Sequence, residues 1–112
     1  MSEFKLFQKY FLEYQKLFGL GGYKVYFKHE PLADGFANIT VAQADMVATV
    51  RLNSALSDRE KPFMDVKQSA KHEALHLLLM RLEQLADYRY AQTSEICESV
   101  EELVHKLEGL IK

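Results

Sequence analysis

Two histidines and a glutamate stand at a spacing that suits metal chemistry. His72 and His76 are four residues apart, with Glu73 directly after the first, inside the run SAKHEALHLLLMRL that begins at Ser69. On a helix, residues four apart lie one above the other on the same face, so two imidazole nitrogens can reach one ion. Zn²⁺ accepts histidine nitrogen at about 2.0–2.1 Å. The pattern therefore predicts a zinc site on this helix.

Glu73 directly follows His72, so its side chain is rotated one step round the predicted helix. It would lie beside the metal without binding it. A carboxylate in that place can act as a general base, taking a proton from water and passing it to the leaving nitrogen of a peptide. The alternative interpretation is an ordinary helix whose three polar residues face solvent. Apart from Glu73, the neighbours of the histidines are uncharged (Ala74, Leu75, Leu77 and Leu78), and no proline interrupts the run, which favours the metal site.

A catalytic zinc site needs a third protein ligand in addition to water. The last predicted helix offers four carboxylates, Glu95, Glu98, Glu101 and Glu102. Two antiparallel helices joined near residues 88–92 would pair the histidines with a point well past the first turn of that helix. Glu95 would lie in that first turn, too near the connection to reach the histidines. Glu98, Glu101 and Glu102 stay open as the third ligand.

Helical periodicity predicts a first helix with an aromatic stripe. The residues at helical spacing are Phe4, Phe7, Tyr10, Phe11, Tyr14, Leu17 and Phe18. Ser2 can cap the start of this helix, and the GLGG run at 19–22 can end it. We interpret the stripe as core packing.

Three short runs rich in β-forming residues follow the first helix. They are YKVYFKHE, FANITVAQ and MVATVRLN, and QAD between the last two is typical of a hairpin connection. They predict a three-stranded, mostly antiparallel sheet.

Two further helices complete the predicted fold. The first runs from about Val66 to Leu85, and the second, capped by Thr93 or Ser94, runs to about Ile111. The predicted class is α+β: an N-terminal helix, the small sheet, the helix with the two histidines and a C-terminal helix rich in glutamate.

Composition limits the classes of protein that the chain can belong to. Its 112 residues are 48% hydrophobic, enough to build the core of a single domain over residues 1–112. A net charge of −2 without clustered Lys or Arg predicts no nucleic-acid binding. The lone Cys97 favours a reducing compartment, and we find neither a signal peptide nor a membrane span. We expect a soluble, cytoplasmic protein without membrane contact.

The extended H-E-x-x-H pattern at 72–76 resembles that of zincin metallopeptidases. No third histidine follows in the metzincin pattern, and His105 is a distant candidate of the kind used by compact three-histidine zincins. The glutamate-rich last helix instead resembles that of gluzincins, in which a glutamate of the next helix is the third ligand. Thermolysin-like enzymes follow that glutamate with a small residue and, four positions on, an acid. Glu98 with Ser99 and Glu102 is similar. The resemblance therefore implies Glu98 as the third ligand, with Glu95 second and Glu101 third among the alternatives, and Glu102 as the residue that orients a histidine N–H.

Taken whole, the chain resembles the minimal gluzincins. It is also similar to small, uncharacterised metallopeptidases encoded in bacteriophage and prophage genomes, in which KHEALHLLL and a last helix like EELVHKLEGLI recur. The resemblance implies a zinc-dependent metallopeptidase that hydrolyses peptide bonds, with His72, His76 and Glu98 holding the metal. Glu73 is then the general base, and the partner is a peptide or protein substrate.

Two features depart from larger peptidases of this kind: a second subdomain is missing, and the sequence shows no obvious pocket that would read substrate side chains. The chain lacks a second subdomain to form the far wall of a cleft, so an edge strand, taken to be MVATVRL, would pair with an extended peptide. A partner protein could complete the cleft. Tyr88 and Tyr90 could stabilise an oxyanion, although tyrosines in such a connection more often simply pack.

Two other functions stay open at this point. The zinc could hold together a small protein-binding module that hydrolyses nothing. A DNA-associated protease of the SprT type shares the zinc helix, but the chain has neither a basic patch nor a Cys-rich zinc ribbon. Glu73 discriminates between enzyme and module, since a structural site has no use for that carboxylate, although glutamate is also a good helix former.

Overall fold

The structure is a computed structural model that describes residues 2–87 and 92–112. Its helices and strands are α1 (Glu3–Leu17), β1 (Lys24–Glu30), β2 (Ala37–Ala42), β3 (Val47–Asn53), α2 (Val66–Ala86) and α3 (Thr93–Leu110). The predicted α+β class is confirmed, with the elements in the expected order. Over the two described ranges, no helix combines the length and apolar character needed to cross a membrane.

α1 begins and ends at the signals that the sequence provides. Ser2 is the N-cap, and its Oγ accepts a hydrogen bond from the backbone N–H of Lys5 at 3.2 Å. The helix ends at Leu17, and Gly19 then takes a φ of 73°, a left-handed conformation that glycine adopts without steric cost. Both predicted boundaries are confirmed.

The sheet has the order β1-β3-β2. β2 and β3 form an antiparallel hairpin across a 3-10 turn at Gln43–Asp45, whereas β1 pairs with β3 in parallel. The prediction of mostly antiparallel pairing is therefore wrong for one of the two pairings. MVATVRL was also wrongly taken as an edge, because β3 is central. β3 supplies the buried residues Ala48, Val50 and Leu52, so the most deeply buried strand takes the place with neighbours on both sides.

α1 and α2 build one core against the sheet. Phe7 and Phe11 of α1 are fully buried, and both rings meet Phe27 of β1 edge-on, at centroid distances of 6.4 and 5.6 Å. α2 adds small and apolar residues, Ala70, Ala74 and Leu77, to the same cluster. The interpretation of the aromatic stripe as core packing is confirmed.

A second cluster joins α2 to α3. Leu75 of α2 packs against three residues of α3, Ile96, Val100 and Val104. α2 is thus buried on two sides, and the side that remains carries His72 and His76 toward β2.

A buried lysine fixes the end of α3 beside the first histidine. The Nζ of Lys71 donates to the backbone oxygens of Glu108 at 2.7 Å and Ile111 at 2.6 Å. A cation among the last carbonyls of a helix satisfies their unused hydrogen-bonding capacity and complements the helix dipole. Since Lys71 directly precedes His72, this contact sets the level at which α3 meets the histidines.

Candidate metal centre

The two histidines lie one turn apart on α2 and turn their rings to the same place. The Nε2 atoms of His72 and His76 are 3.2 Å apart, and the ring centroids are separated by 4.8 Å. About a fifth of each side chain is exposed, so both nitrogens are reachable from solvent while the rings are held by their surroundings. The helix brings these two predicted residues together.

The carboxylate that joins them is that of Glu101. Its Oε1 lies 2.9 Å from the Nε2 of His72 and 2.8 Å from the Nε2 of His76. These three atoms form a group that could hold a metal ion. Ligands placed tetrahedrally about 2.0–2.1 Å from an ion are about 3.3 Å from one another. The distances in this group are a few tenths of an ångström shorter, so small side-chain shifts would admit the ion, and two imidazoles with one carboxylate suit Zn²⁺.

The structure does not bring Glu98 to the histidines. Glu98 is exposed and belongs to neither group of candidate ligands among the described residues. Glu101, like Glu98, lies past the first turn of α3, but it comes three residues later. His76 lies about three turns before the end of α2, and Glu101 about two turns after the start of α3, whereas Glu98 is only about one and a half turns along. In an antiparallel pair, Glu101 is the better match.

Glu95, the second choice, has another role at the start of α3. The N-cap of this helix is Gln92, one residue before the predicted Thr93, and the backbone N–H of Gln92 donates to the Oε1 of Glu95 at 3.3 Å. Glu95 is exposed and outside the candidate ligand groups that the described part of the chain contains. Tyr88 and Tyr90, proposed from sequence as oxyanion donors, lie outside the described residues.

Glu108 is a buried carboxylate between two histidines. Its Oε2 accepts from the Nδ1 of His72 at 3.0 Å, and its Oε1 accepts from the Nδ1 of His105 at 2.9 Å, while its side chain is 10% exposed. With the proton on Nδ1, the Nε2 of His72 keeps a lone pair for a metal. Glu108 therefore has the orienting role that the sequence suggested for Glu102, which instead forms a surface ion pair.

Sequence analysis missed Glu108, although a signal for it exists. Ile96, Val100 and Val104 are buried and recur every four residues, and Glu108 is the next position in that series. A carboxylate that continues an apolar stripe must be buried with hydrogen-bond partners. The two partners here are His72 and His105. Glu108, His72 and His105 together form the second group that could hold an ion.

Glu73 and Glu101 differ in acidity. The pKa of Glu73 is raised to about 7, chiefly by burial; the charge on His72 opposes this rise, and the charges on Glu101 and Glu108 add to it. Partial burial also raises the pKa of Glu101, but His76 and His72 outweigh that effect and hold it below its ordinary value. Glu101 is thus ionised and available as a ligand, while Glu73 can exchange a proton near neutral pH.

His72, His76 and Glu101, here called the metal group, lie at the bottom of a trough that follows β2. A cavity of about 610 Å³ and another of about 300 Å³ meet at His72 and Glu73. β2 forms one wall, and its outer edge pairs with no other strand of the described chain. The edge strand beside the site is therefore β2 and not β3.

Comparisons with known proteins give one likeness. No protein-family model matches the sequence, and no curated protein gives a significant match. Among solved structures, the chain is similar to the crystal structure of the metallopeptidase zymogen of Methanocaldococcus jannaschii jannalysin, with 14% sequence identity and a TM-score of 0.43. The match covers 90% of this chain and 89% of that one. At this identity and TM-score, the likeness carries no functional conclusion.

Proposed function

We propose that the chain is a zinc-dependent metallopeptidase in which His72, His76 and Glu101 hold the metal and Glu73 is the general base. One observation carries the proposal: the three donor atoms converge to within 2.8–3.2 Å of one another, beside the buried carboxyl group of Glu73. The H-E-x-x-H pattern and the resemblance of the glutamate-rich last helix to that of gluzincins support the same class of enzyme.

The chemistry of the site follows from its own residues. When bound, Zn²⁺ supplies Lewis acidity, which polarises a carbonyl group and makes water acidic enough to ionise near neutral pH. Glu73 takes the proton from that water and later gives it to the leaving nitrogen, a task that its place beside the two histidines in the same cavity allows. Glu108 holds the ring of His72 in the tautomer that leaves Nε2 free.

The substrate that fits the trough is an extended peptide. The outer edge of β2 offers backbone N–H and C=O groups at the spacing of a strand, and the metal group lies in the same trough. Main-chain pairing of this kind would hold a peptide or a protein segment over Glu73. We also propose that a partner protein could complete the side of the trough that faces away from β2.

A second candidate is a protein-binding module in which the metal fastens α2 to α3. The contacts of Lys71 with the end of α3 act at the same junction, which favours a stapling role there. Glu73 favours the enzyme. Burial of an acid costs stability, and a purely structural metal site gains nothing from accepting that cost.

Glu73→Gln tests the proposal because the amide keeps the shape of the side chain and loses its basicity. Zinc-loaded wild-type protein and variant are incubated with a peptide library, and new termini are identified by mass spectrometry. We expect cleavage by the wild type that a chelator abolishes. The variant should bind the same amount of zinc and lose about 10²–10⁴-fold in rate.

The control is Glu98→Gln, which removes an exposed carboxylate of α3. It should retain both zinc and wild-type cleavage. Equal cleavage patterns for wild type and Glu73→Gln, or no cleavage by fully zinc-loaded wild type, would contradict the enzyme and favour the module.

A further inference from the structure

We infer that the trough recognises peptides that carry a lysine or arginine side chain at one fixed side of the metal group, where Glu83 and Asp87 receive it. This inference rests on the proposed function, because it names the substrate class of the same site. It assigns specificity to two residues that take no part in holding the metal or moving the proton.

The larger cavity connects the metal group to the C-terminal end of α2. Its lining runs along β2 and past His76 to Met80, Glu83 and Asp87. Glu83 lies two turns beyond His76, about 10 Å along the helix axis. An extended peptide covers that distance in about three residues, and fewer when a long side chain reaches forward. A residue close to the scissile bond can therefore place a cationic group at this end.

Among the described residues, the charges at this end of α2 are arranged unfavourably. Glu83 and Asp87 are four residues apart, a spacing at which like charges on a helix destabilise it. Asp87 is the C-cap and Glu83 is in the last turn, where the helix dipole disfavours anions, and that turn has no basic residue. Within residues 2–87 and 92–112, no Lys or Arg forms an ion pair with either carboxylate, and Glu83 accepts only a weak hydrogen bond from the Sγ of Cys97 at 3.7 Å. A cation supplied by a ligand would relieve this repulsion.

The remaining lining suits a long basic side chain. Met80 on α2 and Val41 on β2 line the same cavity as the two carboxylates. Lysine and arginine pack their aliphatic stems on apolar surface while the charged head reaches polar groups. An acidic side chain in this place would meet two like charges.

The other end of the trough lacks this charge. Apart from His72 and Glu73, which it shares with the larger cavity, the smaller cavity is lined by uncharged residues of β2 and its preceding turn, together with Gln68, Ser69, His105 and Glu108. Glu108 is buried, and both of its oxygens accept from histidines. Selection for a cation is thus confined to the end formed by Glu83 and Asp87, so the basic residue must fall on one fixed side of the scissile bond.

Binding to the zinc-loaded Glu73→Gln protein tests the inference without hydrolysis. Fluorescent extended peptides are identical except for one Lys, Gln or Glu, which is moved along the sequence in separate sets. At one position, we expect the Lys peptide to have a Kd about five- to tenfold lower than the Gln peptide, and the Glu peptide to bind most weakly. Added salt should reduce these differences because the carboxylates are near solvent.

Matched charge removals locate the effect. Adding Glu83→Gln and Asp87→Asn to this protein should bring the three Kd values together. Adding Glu13→Gln and Asp58→Asn removes the same charge from exposed positions outside the trough and should leave the order unchanged. Thermal unfolding of each variant checks that it is folded.

Three results would overturn the inference: equal Kd values for the three peptides at every position, no binding of any peptide, or a Lys preference that survives the loss of Glu83 and Asp87. Failure of the proposed function is a separate result, because it is measured as hydrolysis by the wild type. A wild-type protein that cleaves without regard to charge keeps the peptidase and loses the inference.

Discussion

Two sides of α2 carry side chains of opposite character: one faces the apolar core, and the other faces the trough along β2. Toward α1 and the sheet, the helix presents Ala74 and Leu77, which are buried among apolar neighbours and stabilise the fold by leaving water. Toward β2, it presents His72, Glu73 and His76, which are polar and partly or fully buried. Such groups cost stability unless hydrogen bonds, protons or a metal compensate them. The two sides should therefore differ in their response to truncation, pH and metal.

The largest effect is expected on the apolar side. Leu77→Ala removes a fully buried side chain and should lower the free energy of unfolding by about 2–5 kcal/mol. The loss should be the same with zinc and with chelator, because Leu77 touches the core and not the metal group. Urea unfolding under both conditions measures it. A loss that appears only with zinc present would mean that the two sides are not independent.

The next effect concerns Glu73 in the metal-free protein. Its pKa of about 7 in the folded state exceeds the ordinary value of 4.5, so the folded chain keeps a proton that the unfolded chain releases. The contribution of protonated Glu73 to the free energy of unfolding is fully present below pH 4.5. It is lost as the pH rises toward and through 7, and the total loss is roughly 3 kcal/mol.

Glu73→Gln cannot ionise and should remove that loss, so the metal-free variant should be more stable than the wild type above pH 7. Urea unfolding in chelator from pH 5 to pH 8 measures the difference. Glu98→Gln, which alters an exposed carboxylate, should follow the wild-type curve. Parallel curves for wild type and Glu73→Gln would show that burial of Glu73 imposes no such cost.

A smaller effect separates Glu108 from Glu102. Glu108→Gln leaves one oxygen to accept from two histidines and should weaken zinc binding about 10–100-fold. Glu102→Gln should change it little, because Glu102 only pairs with Lys106 at the surface. Competition with a chromophoric chelator measures both affinities. Equal weakening by the two variants would contradict the orienting role of Glu108.

The comparison also shows what sequence could predict. α1 follows from local rules, because Ser2 caps it and apolar residues recur along it at helical spacing. The pairing of His72 with His76 is equally local, since one helical turn sets it. The order of the strands is not local. It depends on which strand is most deeply buried, and that is decided by the packing of β3 under two helices.

The third ligand could not be fixed for a related reason. Glu98 and Glu101 are less than one turn apart, and the choice depends on where α3 begins and how it is anchored. The helix begins after Gln92, and Lys71 holds its far end through Glu108 and Ile111. Neither contact has a pattern in the sequence strong enough to set the level to within one turn.

The most direct test of the central claim is a crystal structure of the zinc-loaded protein, with anomalous diffraction at the zinc edge. We predict one zinc ion per chain, bound by the Nε2 atoms of His72 and His76 and by a carboxylate oxygen of Glu101 at about 2.0–2.2 Å. Glu73 should lie beside the ion and outside its ligands. Zinc bound through Glu98 or His105 in place of Glu101, or no zinc on the two histidines, would contradict the account.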